Sequence, residues 1–436
     1  MPEWIQINSI EADPHNDGGC YVAATMYKSG DFTPYLYRTK DYGQTWTLIT
    51  KGIEAEHFTR VVRADPKRPG LLYAGTESGM YISFDDGANW QPFQLNLPIV
   101  PITDLTIKND NLIVATQGRS LWLIDDLTPL HQLNDNVAKA NMHLYQPLAA
   151  YRMEGGQSPR PSKTVGMNHP NGVMVHYFIK EMPDTATVTL AFKELDGDVI
   201  KTYSNKAKER KEKLEVKKGA NMFVWDTRYP DGKDFEGMIL WWASLSGAKA
   251  LPGKYKVALT VNGQTQEQEF EILKDPRSEV SASEMVAQFD FIKSVNEKVS
   301  EAHQSIKDIQ TIRKQLKFYT ERMEKDPQYK DLLEKAKSID KAMTEVEETL
   351  YQTKNRSNQD PLNFPIRLTN KLAHLNALMR EGDYGPTQQA LQVRDELTRE
   401  IDKQLDKFNL IKSTDLPAFN RLIKQTDIEA IRLEGE

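Results

Sequence analysis

The sequence has 436 residues, of which 39% are hydrophobic and 27% charged, and its formal net charge is −6. A chain of this length accommodates roughly three globular domains. The negative charge provides no basic field for nucleic acid or an anionic membrane, so no nucleic-acid partner is expected. We expect no membrane span, because no run of about 18 apolar residues occurs. We also expect no signal peptide in this chain, because its start, Met1-Pro-Glu-Trp-Ile, has no basic region followed by an apolar stretch. Cys20 is the sole cysteine, which excludes an internal disulfide and a cysteine-based metal site.

The most informative pattern in the chain is an octapeptide that occurs twice, 44 residues apart, which is about the length of one four-stranded propeller blade. Both copies combine a hydroxyl residue, an aspartate, a glycine and a tryptophan: Thr39, Asp41, Gly43 and Trp46, then Ser83, Asp85, Gly87 and Trp90. Asp and Gly favour a tight turn, because the carboxylate accepts nearby backbone N–H groups and Gly adopts positive φ. The tryptophan is expected to anchor each hairpin between neighbouring sheets.

This pattern, S/T-x-D-x-G-x-x-W, resembles the Asp box of the Asp-box repeat proteins. Sialidases, xyloglucan hydrolases and sortilin-type receptor propellers all contain it, so the resemblance implies a β-propeller without implying a particular reaction. We therefore expect the eight box residues to be structural and to lie away from the ligand-binding face.

Alternating apolar and polar residues predict three consecutive blades. The predicted strands are 9–13, 20–26, 35–39 and 45–50, then 59–64, 71–76, 80–84 and 89–93, then 102–108, 112–116 and 121–124. The box of the third blade has degenerated to Asp125-Asp126-Leu127-Thr128. Closed propellers have roughly 4–8 blades, so we expect N-terminal blades to be provided by a longer parent chain or by another subunit.

The predicted domains are propeller blades at 1–154, a linker at 155–163, a β-sandwich at 164–276 and a helical bundle at 281–436. Glycine and proline mark the linker. Short strands predicted at 173–179, 187–193, 222–226 and 254–261 favour an immunoglobulin- or fibronectin-like sandwich. From Ser281, which forms a capping box with Glu284, the apolar spacing changes to that of helices. Further helices are predicted from 326 and around 366–379, 386–411 and 417–431.

Five runs of residues carry a more specific resemblance. They extend from Pro34 to Gly43, Ala115 to Asp126, Phe223 to Arg228, Asp275 to Arg277 and Asp360 to Leu372. In this order they resemble the C-terminal part of large bacterial sortilin-like, Asp-box (BNR repeat) "glycosyl hydrolase" proteins over nearly the whole chain. The resemblance implies a propeller, a sandwich and a helical tail in a periplasmic or secreted parent protein, and it implies architecture more strongly than activity.

No catalytic set is visible in the sequence. The eight histidines show no metal-binding spacing, and neither a nucleophile elbow nor a phosphate-binding loop occurs, so we predict no metal and no cofactor. Ligands of propellers bind over the channel mouth, on the face opposite the boxes. Polar and aromatic residues in the loops of that face are the ligand-binding candidates: Tyr27, Asp31, His57, Arg60, Glu77 and Arg119. Arg119 ranks first because a guanidinium can clamp a carboxylate in a bidentate manner.

The leading hypothesis is a non-catalytic binding or scaffold fragment of a sortilin-like propeller protein with a polypeptide or glycan ligand. The alternative is part of a glycoside hydrolase whose catalytic residues lie mostly in N-terminal blades. A third possibility is a purely structural assembly module in which the helices dock other proteins.

Overall fold

The computed structural model describes residues 1–153, 165–324 and 326–426. The predicted linker at 155–163 and the end of the last predicted helix, beyond residue 426, lie outside these residues. Within them, β-sheets occupy the N-terminal two thirds and helices the C-terminal third, which confirms the predicted mixture of β and α structure.

Three antiparallel sheets follow one another in the first 124 residues, and each is a meander in which neighbouring strands pair in chain order. Sheet 1 contains β1 (Gln6–Ala12), β2 (Cys20–Met26), β3 (Asp31–Thr39) and β4 (Thr47–Leu48). Sheet 2 contains β5 (Thr59–Ala64), β6 (Leu72–Thr76), β7 (Gly79–Ser83) and β8 (Gln91–Pro92). Sheet 3 contains β9 (Ile102–Lys108), β10 (Asn111–Thr116) and β11 (Leu121–Ile124).

The sheets stack face to face on two apolar cores. Tyr21 and Leu36 of sheet 1 pack with Val62 and Ala74 of sheet 2, and the opposite face of sheet 2 packs on sheet 3. The second contact is close at Gly75, where an added Cβ would lie 2.6 Å from methyl carbons of Ile102 and Val61. The first strands β1, β5 and β9 lie side by side across the stack. Such stacking of meander sheets is typical of propeller-like architecture.

Two further sheets form the next unit and share one core. Their strands, after short helices α1 (Thr128–Gln132) and α2 (Asp135–Lys139), are β12 (Met142–Leu144), β13 (Ala150–Arg152), β14 (Val173–Ile179), β15 (Val188–Glu194), β16 (Val199–Ser204), β17 (Gly219–Trp225), β18 (Gly253–Val261) and β19 (Gln264–Lys274). The strand orders are β12-β14-β17 and β13-β19-β18-β15-β16. Fully buried Trp225 stacks on Phe192 at 4.5 Å between the two sheets.

The sequence placed residues 142–152 with the propeller, and the structure corrects this boundary. β12 pairs antiparallel with β14, and β13 pairs in parallel with β19, so both belong to the two-sheet unit. The backbone groups of these three-residue strands are satisfied by strands far along the chain, a pairing that local alternation does not reveal. Strands β16 and β19 were also missed.

The helical unit contains α3 (Ala282–Met323), α4 (Lys330–Leu350), α5 (Leu368–Met379), α6 (Gln388–Leu410) and α7 (Leu416–Ile423), with a π-helical turn at Ile411–Asp415. The predicted capping box is present: the Glu284 backbone N–H donates to Ser281, and the Ser281 backbone N–H donates to the Glu284 carboxylate. Val295, Val299 and Ile306 of α3 lie in the shared helical core.

One segment joins the two-sheet unit to the helices, and we call residues 229–250, between β17 and β18, the strap. Phe235 of the strap is buried in the helical core, and Met238 and Leu240 pack against it. The Ser244 backbone N–H donates to the Ala373 carbonyl of α5 at 3.1 Å. A second link is buried Arg152 of β13, which donates to Asp383 after α5 and to Gln288 of α3.

Candidate functional site

The box residues build two equivalent turns at one end of sheets 1 and 2, which we call the box end. Asp41 Oδ1 accepts the Thr45 N–H at 2.9 Å, and the Gly43 N–H donates to Thr39 Oγ1 at 2.9 Å. In the second box the corresponding distances, Asn89 N–H to Asp85 and Gly87 N–H to Ser83, are 2.8 and 3.0 Å. Gly43 and Gly87 have φ of 83° and 80°. The carboxylate and hydroxyl oxygens therefore satisfy turn backbone donors.

The opposite end of the sheets, the loop end, carries the β2–β3, β6–β7 and β10–β11 turns and the connections between sheets. A one-residue bulge occurs there in the first strand of each sheet. The register skips Asn8 in β1, Arg60 in β5 and Thr103 in β9. Bulges re-aim side chains and are enriched beside functional sites. The same irregularity therefore changes side-chain direction at three neighbouring positions of the loop end.

Four of the predicted ligand residues lie in one region of the loop end: Tyr27, His57, Arg60 and Glu77. Phe58 contacts two of them. The Tyr27 ring stacks on the Phe58 ring with centroids 5.0 Å apart, and the Arg60 guanidinium lies 5.4 Å from the same ring. Arg60 also pairs with Glu77, with Nε–Oε2 and Nη2–Oε2 distances of 2.6 and 2.5 Å. We call Tyr27, Phe58, Arg60 and Glu77 the loop-end cluster. Phe58 is buried and was not among the sequence candidates.

His57 lies next to this cluster but is directed toward other partners. Its Nδ1 is 2.7 Å from the Tyr81 hydroxyl, and its Nε2 is 3.5 Å from a Glu54 carboxylate oxygen. Burial raises the pKa of Tyr81, so its hydroxyl remains protonated. His57 therefore serves first to hold the connection between sheets 1 and 2.

Asp31 and Arg119 stand apart from the loop-end cluster. The Asp31 carboxylate accepts the Tyr35 hydroxyl at 2.7 Å, then the Thr33 N–H, and these bonds lower its pKa. Arg119 is exposed, and its described hydrogen bond goes to the carbonyl of Gly118 beside it. Asp31 thus stabilises its own turn, and no described contact joins Arg119 to the other candidates.

The connection between sheets 2 and 3 presents aliphatic side chains at the loop end. Gln94 accepts the Met80 N–H and donates to the carbonyls of Leu97 and Pro98. This bridge holds Leu95 at φ 45°, with 71% of the residue exposed, and Ile99 is 77% exposed nearby in sequence. The loop is therefore ordered by its own polar contacts while its apolar residues face solvent.

A second group of charges joins the three first strands. Arg63 of β5 donates to Asp104 of β9 at 2.7 Å and lies 3.6 Å from Glu11 of β1. Burial raises the pKa of Glu11, and Arg63 opposes that shift. Arg63 also donates to the Leu105 carbonyl at 2.6 Å and to Ser9 at 3.0 Å. Two carboxylates thus flank an arginine where the sheets meet, an arrangement that no local motif indicates.

Within residues 1–153, 165–324 and 326–426, no three His, Cys, Asp or Glu side chains are grouped so that they could hold a metal ion. None of the helices in this part of the chain is both long and apolar enough to cross a bilayer.

The chain matches no family model and no curated protein. Similar solved structures include one described as YCF48 bound to a D1 peptide, 19% identical over 28% of this chain and 37% of that one, with a TM-score of 0.22. Another is an ancestral GH74 enzyme, 13% identical over 61% of this chain and 35% of that one, also with a TM-score of 0.22. The chain thus spans little more than a third of either. With scores this low, the propeller-like description rests on the sheets themselves.

Proposed function

We propose that the chain is a non-catalytic binding and scaffold module of a sortilin-like, Asp-box propeller protein acting outside the cytoplasm. In this proposal sheets 1–3 are propeller blades, the two-sheet unit is an immunoglobulin- or fibronectin-like spacer, and the helices complete the scaffold. The ligand, a polypeptide or a glycan, binds at the loop end. The resemblance of the sequence motifs supports the family and its location, and the box turns support the blades.

The observation that carries the binding role is the loop-end cluster. Its aromatic stack and its Arg60–Glu77 pair are held by direct contacts, so a ligand would meet a preorganised surface. Phe32, half exposed, lies 6.1 Å from Phe58 and extends the aromatic surface. Exposed Leu95 and Ile99 add aliphatic area on the same end. Apolar anchors beside a charged pair favour a polypeptide over a glycan as the ligand.

Panning of a phage-displayed peptide library on the full chain, with a glycan array in parallel, tests this role. We expect the library to yield peptides that bind Arg60→Ala about tenfold or more weakly than the unchanged protein. This substitution removes a charged group and its contact with an aromatic ring at the same time. Lys108→Ala, an exposed change on the box-end side of β9, is the matched control. Peptides or glycans that bind Arg60→Ala and Tyr27→Ala as tightly as the unchanged protein would contradict the assignment.

The second candidate function is part of a glycoside hydrolase, and the Glu11–Arg63–Asp104 group favours it. Glycosidases use two carboxyl groups, one of which has a raised pKa. Burial raises the pKa of Glu11, and Asp104 lies on the other side of Arg63. Arg63 occupies the space between them with ion pairs, so we expect no hydrolysis of sialosides or β-glucan oligosaccharides by this chain. Turnover that disappears in both Glu11→Gln and Asp104→Asn would favour the enzyme instead.

A further inference from the structure

Two adjacent tryptophans of the strap border an open groove on the helical unit, which we call the tryptophan groove. Its volume is about 340 Å³, and its apolar lining includes Trp241, Trp242, Leu375 of α5 and Leu397 of α6. The two indole rings stack with centroids 6.2 Å apart and an interplanar angle of 21°. The groove belongs to a different unit from the loop end, so the proposed function does not account for it.

The backbone that presents these rings is fixed by polar contacts with α5. Buried Asn370 accepts the Trp241 N–H at 2.7 Å and donates to the Trp241 carbonyl at 2.9 Å. His374 Nδ1 contacts the Trp242 carbonyl. Trp242 has φ 47°, an unusual conformation for a bulky residue, and remains 73% exposed. Such conformations persist where the surroundings impose them, and they cluster at ligand-binding segments. The strap therefore holds a large aromatic ring in solvent.

The ionisable side chains that line the groove indicate which kind of ligand would complement it. Lys371 and His374 are the ionisable residues that line it, and both are basic. They lie on one face of α5 with Leu375 and exposed Leu378, at helical spacings of three and four. A complementary ligand thus combines bulky apolar groups with negative charge.

We propose that the tryptophan groove docks an amphipathic helical segment of a partner protein, whose aliphatic side chains fill the groove and whose Asp or Glu residues face Lys371 and His374. Helices bind apolar grooves through side chains three and four residues apart, and tryptophans are frequent anchors of such contacts. A sugar fits less well, because the Asn370 amide and the His374 Nδ1 already bond to the strap and are not available to its hydroxyl groups.

The test uses the full chain and two synthetic helical peptides of alanine and leucine, one with glutamate and one with lysine at the flanking positions. Isothermal titration should show binding of the glutamate peptide and none of the lysine peptide. Trp242→Ala should weaken the glutamate peptide about tenfold or more. Trp4→Ala is the matched control, because Trp4 also has a positive φ, 64°, and is 92% exposed in another unit. Lys371→Glu should weaken the glutamate peptide and permit binding of the lysine peptide.

Circular dichroism of each variant verifies that the helices remain folded. Equal binding of both peptides would overturn the charge assignment, and unchanged affinity in Trp242→Ala would overturn the groove itself. A cello-oligosaccharide is titrated in parallel, and binding of that sugar with loss in Trp242→Ala would replace the helical partner with a glycan.

Discussion

The two Asp boxes have the same internal turn but different surroundings. Both carboxylates accept the N–H four residues later, and both glycines have nearly the same positive φ. In the second box, Trp90 is buried and donates from Nε1 to the carbonyl of Ile49, which directly follows β4 of sheet 1, at 2.7 Å. In the first box, half-buried Trp46 donates from Nε1 to the Gly43 carbonyl within its own turn at 3.1 Å. The octapeptide alone thus determines the turn, whereas the preceding sheet determines what the tryptophan stabilises.

The residue between aspartate and glycine shows the same contrast. Asp86 in the second box accepts a hydrogen bond from the Tyr21 hydroxyl at 2.5 Å and forms ion pairs with Arg38 of β3 and with Lys40, which directly follows β3. Tyr42, its counterpart in the first box, is 79% exposed. Both have φ near 60°. The second box therefore joins two sheets, while the first maintains one hairpin.

The largest expected difference is between the two tryptophans. Trp90→Ala should lower the free energy of unfolding by about 3–5 kcal/mol, because a buried ring and its hydrogen bond are both removed. Trp46→Ala should cost about 1 kcal/mol, because the ring is partly solvated and packs on residues of its own sheet. Urea unfolding followed by circular dichroism measures both, and hydrogen exchange across residues 79–93 locates the change. Equal losses would show that Trp46 is buried in solution.

Asp86→Asn should have the next largest effect. It removes the charge that Arg38 and Tyr21 face while keeping a side chain that tolerates positive φ, so we expect a loss of about 1.5–3 kcal/mol. Tyr42→Asn at the equivalent position is the control and should change stability within about 0.5 kcal/mol. The melting temperature of each variant measures these losses. An unchanged melting temperature in Asp86→Asn would show that the contacts of Asp86 with sheet 1 do not stabilise the fold.

The sequence predicted what is local and missed what depends on distant pairing. Strand β14 was predicted with its observed bounds, because Val173, Val175 and Tyr177 alternate toward the core. Strand β19 was not predicted, because its sequence, QTQEQEFEILK, is mostly polar, and within it only Phe270 and Ile272 are buried. Phe58 is a single phenylalanine before a strand, and only the folded chain shows it between Tyr27 and Arg60. The Glu11–Arg63–Asp104 group likewise requires three strands more than 40 residues apart to align.

Replacing the box aspartates should produce smaller and unequal losses. Asp85→Ala should cost about 1–2 kcal/mol, because the Asn89 and Ser83 donors lose their acceptor beside the sheet contact. Asp41→Ala should cost less, because its turn is exposed and water replaces the carboxylate. Thermal unfolding measures the losses, and titration with any peptide selected at the loop end should give unchanged affinity for both. A binding defect in a variant that melts normally would place the boxes at a ligand site.

The smallest expected effect is a loss of stability at low pH. It tests the hydrogen bonds within the turn, which both boxes share, and not the contacts between sheets. Hydrogen bonds from the Thr45 side chain and backbone, then from Thr39, lower the pKa of Asp41 from 3.8 to about 2. Burial acts to raise the pKa of Asp85, but bonds from Asn89 and Ser83 outweigh it, and the net shift is also downward. A carboxyl whose pKa is lower in the folded state stabilises the fold above its unfolded pKa, and this contribution is lost as pH falls toward the folded value. The difference in melting temperature between the unchanged protein and Asp41→Asn should therefore be constant at neutral pH and shrink between pH 3.8 and about 2. A difference that grows as pH falls would mean that the folded turn prefers the protonated acid, which contradicts the hydrogen bonds that both boxes share.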